Sequence, residues 1–477
     1  MQLPVTGPTY QHESQDVNYQ RCVNLFPSLS GPEGKQQFAL LPTAGKKTLV
    51  DLSGTEVRAI MEFNDTVYVV VNSTVYKLTI NDNAETATGA SIGTISSQSG
   101  LISWAKNPTQ IMFTDGTTTG GYIITVSTDT LTQISDADFT GATTVVFMDS
   151  YFLYNTPNAS TMFATDSNNG LSVDALDVAT AEGSPDRLVA LAVDKRELWA
   201  FGKTSVEIWY DAANATAFPF SRREGAFINQ GCAAAFTVLN FDNSLVWLDD
   251  RGYIVQANGY SPEVLSNFTV NNAIQSYARI DDAYAFQHID RGHLFYVISF
   301  PTAKKTWAYD ATTKQWHERA YMTQNSVLEH DLANCSTRYK RWELAGSRNS
   351  GKVFLLKSTA YDDGGDTIHR IRTTGHQAVE YNQIGVDALE LHIEAGKALS
   401  TGTGSDPQVM MRYSQDGGYT WSNEMYRSMG KIGEYNKRIR WNRLGTGREW
   451  LFEFRVSDPI PFSIIDASVD ISGGFRA

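Results

Sequence analysis

Seven times between residues 66 and 358 the chain repeats one arrangement: an apolar, aromatic-rich strand, a short polar or glycine turn, and a second strand. The segments are 66–78 (TVYVVVNSTVYKL), 110–126, 151–164, 197–210, 244–255, 293–309 and 342–356. Their landmarks Tyr68, Met112, Phe152, Trp199, Trp247, Tyr296 and Trp342 stand 44, 40, 47, 48, 49 and 46 residues apart. A unit of that length built from several short strands cannot bury both its faces alone. Stacked around a ring it can, and this is the sequence sign of a β-propeller.

Shared among seven segments, the repeat zone gives about 46 residues per blade, and six blades with one long insertion fit nearly as well. Residues 1–45 read differently, as an extended arm punctuated by Pro27, Gly31, Pro42 and Gly45, with short apolar pieces at 23–26 and 38–41. From 375 the period changes. In 386–394, Leu389, Leu391 and Ile393 alternate with Glu390, His392 and Glu394, the pattern of a strand with one buried and one wet face. Further strands are expected at 409–413, 437–444, 450–456 and 464–471, enough for a separate β-sandwich or barrel. The expected organisation is all-β: an arm (1–45) packing with the platform, a β-propeller of six or seven blades (46–374), and a C-terminal β-rich platform domain of sandwich or barrel type (375–477).

Composition supports this and excludes several classes of function. At 477 residues the chain exceeds the range in which one core keeps growing, so more than one unit is expected. Aromatics at 12% and few helix-period runs favour strands. A net charge of −13 repels a polyanion over long range, so any DNA partner has to be held by geometry or a local basic patch. Cys22, Cys232 and Cys335 are scattered and odd in number, which indicates neither a disulfide framework nor a zinc site. The first residues lack a signal-peptide pattern and no apolar run reaches membrane-helix length, so neither membrane insertion nor the usual export route is expected.

Ser414-Gln-Asp416-Gly-Gly418-Tyr-Thr420-Trp421 fits the Asp-box pattern S-x-D-x-G-x-T-W at every specified position. Its chemistry is local: carboxylate and hydroxyl bind turn backbone, glycine supplies unusual φ, and tryptophan packs beneath. Asp boxes are similar to those of sialidases, but those carry several copies and this chain has one, outside its repeats; a structural turn is expected. Gly346 to Lys352 matches G-x-x-x-x-G-K, yet Val353 stands where a magnesium-binding hydroxyl belongs and VFLL reads as a strand, so a blade turn is expected. His288 and His293 around Asp290, and the Asp362-Asp363-Gly-Gly-Asp366 loop, fall short of a ligand set and read as solvated loops. No catalytic constellation, cofactor site or metal site is indicated. The interval 427–455 holds eight Lys or Arg against three Glu. Within it Lys437, Arg438, Arg440, Arg443 and Arg448 form a basic face that lines a DNA path, meets an acidic neighbouring subunit, or is simply solvated.

Several stretches together resemble the tail nozzle, or tail hub, proteins of short-tailed bacteriophages, also called packaged-DNA stabilisation proteins. They are 18–26 (NYQRCVNLF), 138–145 (DFTGATTV), 174–186 (DALDVATAEGSPD), 197–209 (ELWAFGKTSVEIW), 218–220, 231–234, Trp247-Leu248, Gly292-His293, 307–310 with 316–319, and 413–459. The sequence departs from the family at Pro42-Thr-Ala-Gly45, where a Pro-Gly turn is usual. The resemblance implies a non-enzymatic virion tail protein assembled in the host cytoplasm. It implies a homohexameric ring joined to the portal-adaptor protein, closed by a tail needle or plug, carrying tailspike or fibre proteins, and passing double-stranded DNA through its lumen without sequence specificity. Two rivals differ in class: a propeller-type glycan hydrolase, in which Asp416→Asn hurts activity more than folding, and a receptor-binding tail protein with an exposed aromatic groove.

Overall fold

The computed structural model describes residues 1–31, 36–181, 183–184, 186–214, 217–378 and 382–475. Seven four-stranded antiparallel blades follow one another around a central channel, fixing the blade number at the upper of the two expected values. Blade one is Val57–Phe63, Thr66–Val71, Thr74–Asn81 and Thr86–Thr94. Blades two to six occupy 103–133, 145–180, 188–228, 239–264 and 284–319. Blade seven takes three strands from 333–357 and its outermost from the other end of the chain, Gly45–Asp51 paired against Lys352–Lys357. This cross-closure ties the ring shut. Gly45 is needed where that strand begins, because a Cβ would sit 2.4 Å from the Ala360 carbonyl oxygen.

The repeats legible in the sequence are the second and third strands of each blade. Sandwiched between neighbouring blades, they are buried on both faces and therefore read as near-continuous apolar runs. The hairpin leading into them is repeatedly a two-residue loop with both φ positive, at Asn64-Asp65, Asp149-Ser150, Lys195-Arg196, Asp242-Asn243 and Arg291-Gly292. That geometry matches the twist of the flanking strands. The innermost strands, the first of each blade, line the channel, a cavity of about 390 Å³ walled in part by Arg58, Trp104, Val146, Ala192, Gln287 and Ser336.

The C-terminal unit is a β-sandwich. One sheet runs Ile439–Gly447, Gln383–Ile393, Ile464–Phe475, Phe38–Pro42, Leu25–Leu29, with Gln2–Leu3 beside Ile464–Phe475. The other does not stop at the domain edge. It starts as blade six and continues from Gln315–Arg319 through Cys22–Val23, Arg370–Thr373, Glu449–Val456 and Gln408–Ser414 to Met425–Ser428. Leu3, Val5, Cys22, Leu25 and Leu40 of the N-terminal segment share one core with Trp441, Trp450 and Phe454. One α-helix, Phe268–Gln275, lies among the described residues, and no helix is long and apolar enough to cross a membrane.

One segment read as a solvated loop is a pair of buried strand ends, and the other, Asp362 to Asp366, keeps an exposed turn at Gly365 and Asp366 with Asp363 buried. His288, Asp290 and His293 lie in the strands Tyr284–Asp290 and His293–Phe300 and are 2%, 8% and 6% exposed. Polar spacing alone misled at His293 and Asp363, because their partners Ser28 and Lys46 are remote in sequence.

Candidate functional site: the seam between propeller and sandwich

The N-terminal segment is held in the seam by buried charges. Arg372, on the short strand Arg370–Thr373, is 1% exposed and has its guanidinium turned to the arm. It donates to the carbonyls of Val5 (2.6 Å), Pro8 (3.0 Å) and Arg21 (3.4 Å) and to Gln20 Oε1 (2.9 Å). Arg21 forms a fork with Glu318 of blade six, Nε to Oε1 at 3.1 Å and Nη2 to Oε2 at 2.8 Å. Burial alone raises the Glu318 pKa, but Arg21 and Lys305 outweigh it and hold the carboxyl below its ordinary value. On the closing strand, Lys46 reaches Asp363 at 2.9 Å and Asp331 at 3.2 Å, all three buried.

Ser28, His293 and Asp310 also come together. Ser28 Oγ is 3.1 Å from His293 Nε2, whose Nδ1 is 2.7 Å from Asp310 Oδ2. The order is that of nucleophile, base and orienting acid. However, Ser28 sits inside a strand ladder opposite Ala39, and the imidazole is enclosed by Phe26 and Phe295 at ring distances of 5.0 and 6.0 Å. The contact seats the arm on blade six. Among the described residues no group of three or more His, Cys, Asp or Glu is placed to hold a metal.

The Asp-box residues form one turn. Ser414 Oγ donates to Asp416 Oδ1 (2.7 Å) and accepts from the Gly418 N–H (2.9 Å). Asp416 accepts from the N–H and hydroxyl of Thr420 at 2.9 and 2.5 Å, while Trp421 Nε1 donates to the Gly418 carbonyl at 3.0 Å. Gly417 and Gly418 have φ of 72° and 95°, which side chains rarely adopt. The turn meets the arm, with the Tyr19 ring 6.4 Å from the Trp421 ring and the Arg412 guanidinium 4.7 Å over it. The Thr420 hydroxyl and N–H, then Ser414, depress the Asp416 pKa to about 2. A depressed carboxyl contributes stability above its unfolded value near 4 that is lost as pH falls through its folded value. The protection of the Gly418 and Thr420 amides from hydrogen exchange, taken relative to the unstructured rate at each pH, should therefore fall between pH 4 and about 2 in the parent protein. In Asp416→Ala that protection should be low at both ends of the range.

The basic residues are largely compensated within the sandwich. Arg438 forks onto Glu390 at 2.9 and 2.6 Å, Arg440 reaches Asp470 at 2.8 Å, and Lys437 lies 3.9 Å from Glu434. Arg443 and Arg448 are exposed, without a carboxylate at salt-bridge distance among the described residues. Ile439 and Trp441 of the same strand point into the core, 1% and 0% exposed. The sequence did not single out Lys46, Arg372 or Ser28; a charged residue inside a strand-like run was the one available signal.

A propeller whose own N-terminal segment closes its ring and then builds the sheet of an adjoining sandwich defines a two-part β scaffold. The chain belongs to the bacteriophage P22 Gp10 family of phage structural proteins: the family's β-propeller matches residues 1–361 and its β-sandwich residues 369–472. No curated protein sequence matches it. Among solved structures it is similar to the extracellular domain of a hybrid two component system from B. thetaiotaomicron (9% identity, TM-score 0.43, covering 70% of this chain and 45% of that one). PorZ of Porphyromonas gingivalis gives 10% identity and TM-score 0.39 over 73% of this chain and 45% of that one. YCF48 bound to D1 peptide gives 11% and 0.40 over 66% and 97%. The chain thus spans about half the length of the first two, and likenesses this distant carry no argument about function.

Proposed function

We propose that the chain is one subunit of a tail nozzle, a homohexameric ring that extends the portal-adaptor channel, helps retain packaged DNA and conducts it at ejection. The observation that carries this reading is the extent of the family match, which takes in propeller and sandwich together. In this reading no residue performs chemistry, and the Asp box, whose carboxylate oxygens are both spent inside the turn, is a fastener.

Two physical points support a conduit. The cavity inside each propeller, about 390 Å³, has no room for a duplex whose major groove alone is about 12 Å wide, so DNA passes between copies and the propellers form the wall. A chain of net charge −13 grips phosphate weakly, so a duplex slides along it without a trail of Lys and Arg contacts to break. The sandwich and arm form the platform, and Arg443 and Arg448 are available to an acidic neighbour there. The portal-adaptor protein, a needle or plug, and tailspikes or fibres are the partners of such a ring in the virion tail, assembled in the host cytoplasm.

Mass measurement of the purified chain, alone and mixed with its adaptor, tests this. A closed ring in at least the adaptor-bound state is the expected result, and a strict monomer in both overturns it. The same ring should bind duplex DNA weakly; tight binding with a steep salt dependence contradicts the slippery wall.

A further inference from the structure

The acidity of the chain is concentrated in two blades. Residues 107–186, which make up most of blades two and three, hold nine Asp and one Glu with no Lys, Arg or His. Lys77 and Arg196 of the flanking blades one and four reach Asp129 and Asp149. Asp136, Asp138, Asp166, Asp174 and Asp177 meet no cation at salt-bridge distance among the described residues. Burial, then the charges of Asp174 and Asp166, raise the Asp177 pKa. The outermost strand of blade three leaves its ladder at the same place. Val173 lies opposite Thr165 and Val178 opposite Phe163, so Asp174-Ala-Leu176-Asp177 stands against the single residue Ala164 and bulges. Within the bulge Leu176 is 72% exposed, between two aspartates.

The opposite sign lies on the sandwich. Both of its sheets end on one side, one at Met425–Ser428 and the other at Ile439–Gly447. Arg427 Nε donates to the Arg440 carbonyl at 2.9 Å, which sets these two edge strands side by side. On and beside them, Arg427, Lys431, Arg443 and Arg448 have no carboxylate at salt-bridge distance among the described residues. Tyr426, Ile432 and Tyr435 are 54%, 64% and 70% exposed in the same stretch. Two free strand edges carrying exposed apolar side chains and unpaired cations are a surface that another chain completes.

The two patches lie at opposite ends of the subunit. The sandwich continues the sheet of blade six, and in a ring of seven the blades farthest from six are two and three. Unlike charges at the two ends favour head-to-tail contact between copies, and unlike patches repeated in that way close into a ring when the rotation permits.

We propose that the bulge of blade three docks on the open edge of the sandwich of a second copy, Leu176 among Tyr426, Ile432 and Tyr435 and its aspartates toward the unpaired cations. This rests on the ring reading and names the faces that join its subunits.

Charge reversal at exposed residues tests it, in whichever state the parent assembles, alone or on its adaptor. Asp174→Lys with Asp177→Lys, and separately Lys431→Glu with Arg443→Glu, should each weaken association of the full chain about a hundred-fold or more by setting like charges together. Mixed, the two variants should assemble again, since each supplies the face that the other now fits. Leu176→Cys with Ile432→Cys, joined by a short bismaleimide, should give covalent oligomers, and either substitution alone should not. The crosslink reads the contact even where the adaptor holds a weakened ring together. Reversed variants that assemble as the parent does, a mixture that stays apart, or an assembled double-cysteine variant without crosslinks overturns the interface and leaves the ring standing. Edge reversal that abolishes adaptor binding while subunit association is unchanged gives the edge to the adaptor and also overturns it. A parent that is a monomer in both states removes ring and interface together.

Discussion

Lys46→Ala is expected to lower the stability of the propeller by about 3–5 kcal/mol at neutral pH, the cost of leaving a buried charge without its partner. Lys46 is the one residue of the closing strand that reaches two buried carboxylates, Asp331 and Asp363. Burial alone lowers the lysine pKa, and the two aspartates more than reverse it, so the ammonium stays charged. With Lys46 gone, Arg319 remains nearby, but its guanidinium is turned to His317 and His288, each at 3.3 Å. The pH dependence follows. In the parent, burial raises the Asp331 pKa but Lys46 outweighs it and holds the carboxyl below its ordinary value, whereas at Asp363 burial wins over Lys46 and the pKa is raised; the Asp331 stabilisation is present at neutral pH and lost as pH falls through the folded value. In the variant burial dominates at Asp331 too and raises Asp363 further, so protonation relieves the strain as pH falls. The gap between parent and variant is therefore widest near pH 7 and narrows toward pH 4. Chemical denaturation at the two pH values measures it, and Lys46→Ala with Asp331→Asn and Asp363→Asn should recover part of the loss. A gap that widens on acidification contradicts the assignment.

How much of this was legible beforehand depends on which face of which strand is considered. The middle strands of every blade were readable because neighbouring blades bury them twice over, as in Thr66–Val71 (TVYVVV). The outermost strand of blade one, Thr86–Thr94 (TATGASIGT), is mostly exposed, and the innermost strand of blade two, Ser103–Lys106 (SWAK), faces the channel. Neither had reason to be apolar, so the sequence pattern passed over them. The Asp-box turn was fully readable, since all its bonds close within eight residues. Lys46 was not, because its partners lie 285 and 317 residues away. The same holds for His293, whose polar spacing resembled a loop while Phe26 and Ser28, brought from the other end of the chain, made a buried site for it. Charges satisfied at long range are invisible to a window of sequence.

Arg372→Ala should detach the N-terminal segment without unfolding the propeller core. The guanidinium satisfies three main-chain carbonyls of the arm, at Val5, Pro8 and Arg21, and the Gln20 side chain, with no carboxylate in the set. Each acceptor left buried and unpaired costs about 1–3 kcal/mol. The cheaper state for residues 4–21 is then to leave the seam and hydrate. Arg372→Lys is expected to fail nearly as badly, because an ammonium is a point donor and cannot span carbonyls served by separate nitrogens of a planar fork. Limited proteolysis reads the difference. Both variants should be cut between about residues 5 and 21 while 57–357 stays intact, since blades one to seven pack through their own cores. The same release should loosen the fork of Arg21 on Glu318 and so uncouple the sandwich from blade six. Hydrogen exchange should then rise at Cys22–Val23 and Arg370–Thr373, the two short strands that carry the sheet across, before it rises within either unit. Uniform acceleration through the blades instead would mean that residues 4–21 are part of the propeller's own stability rather than the weld between it and the sandwich.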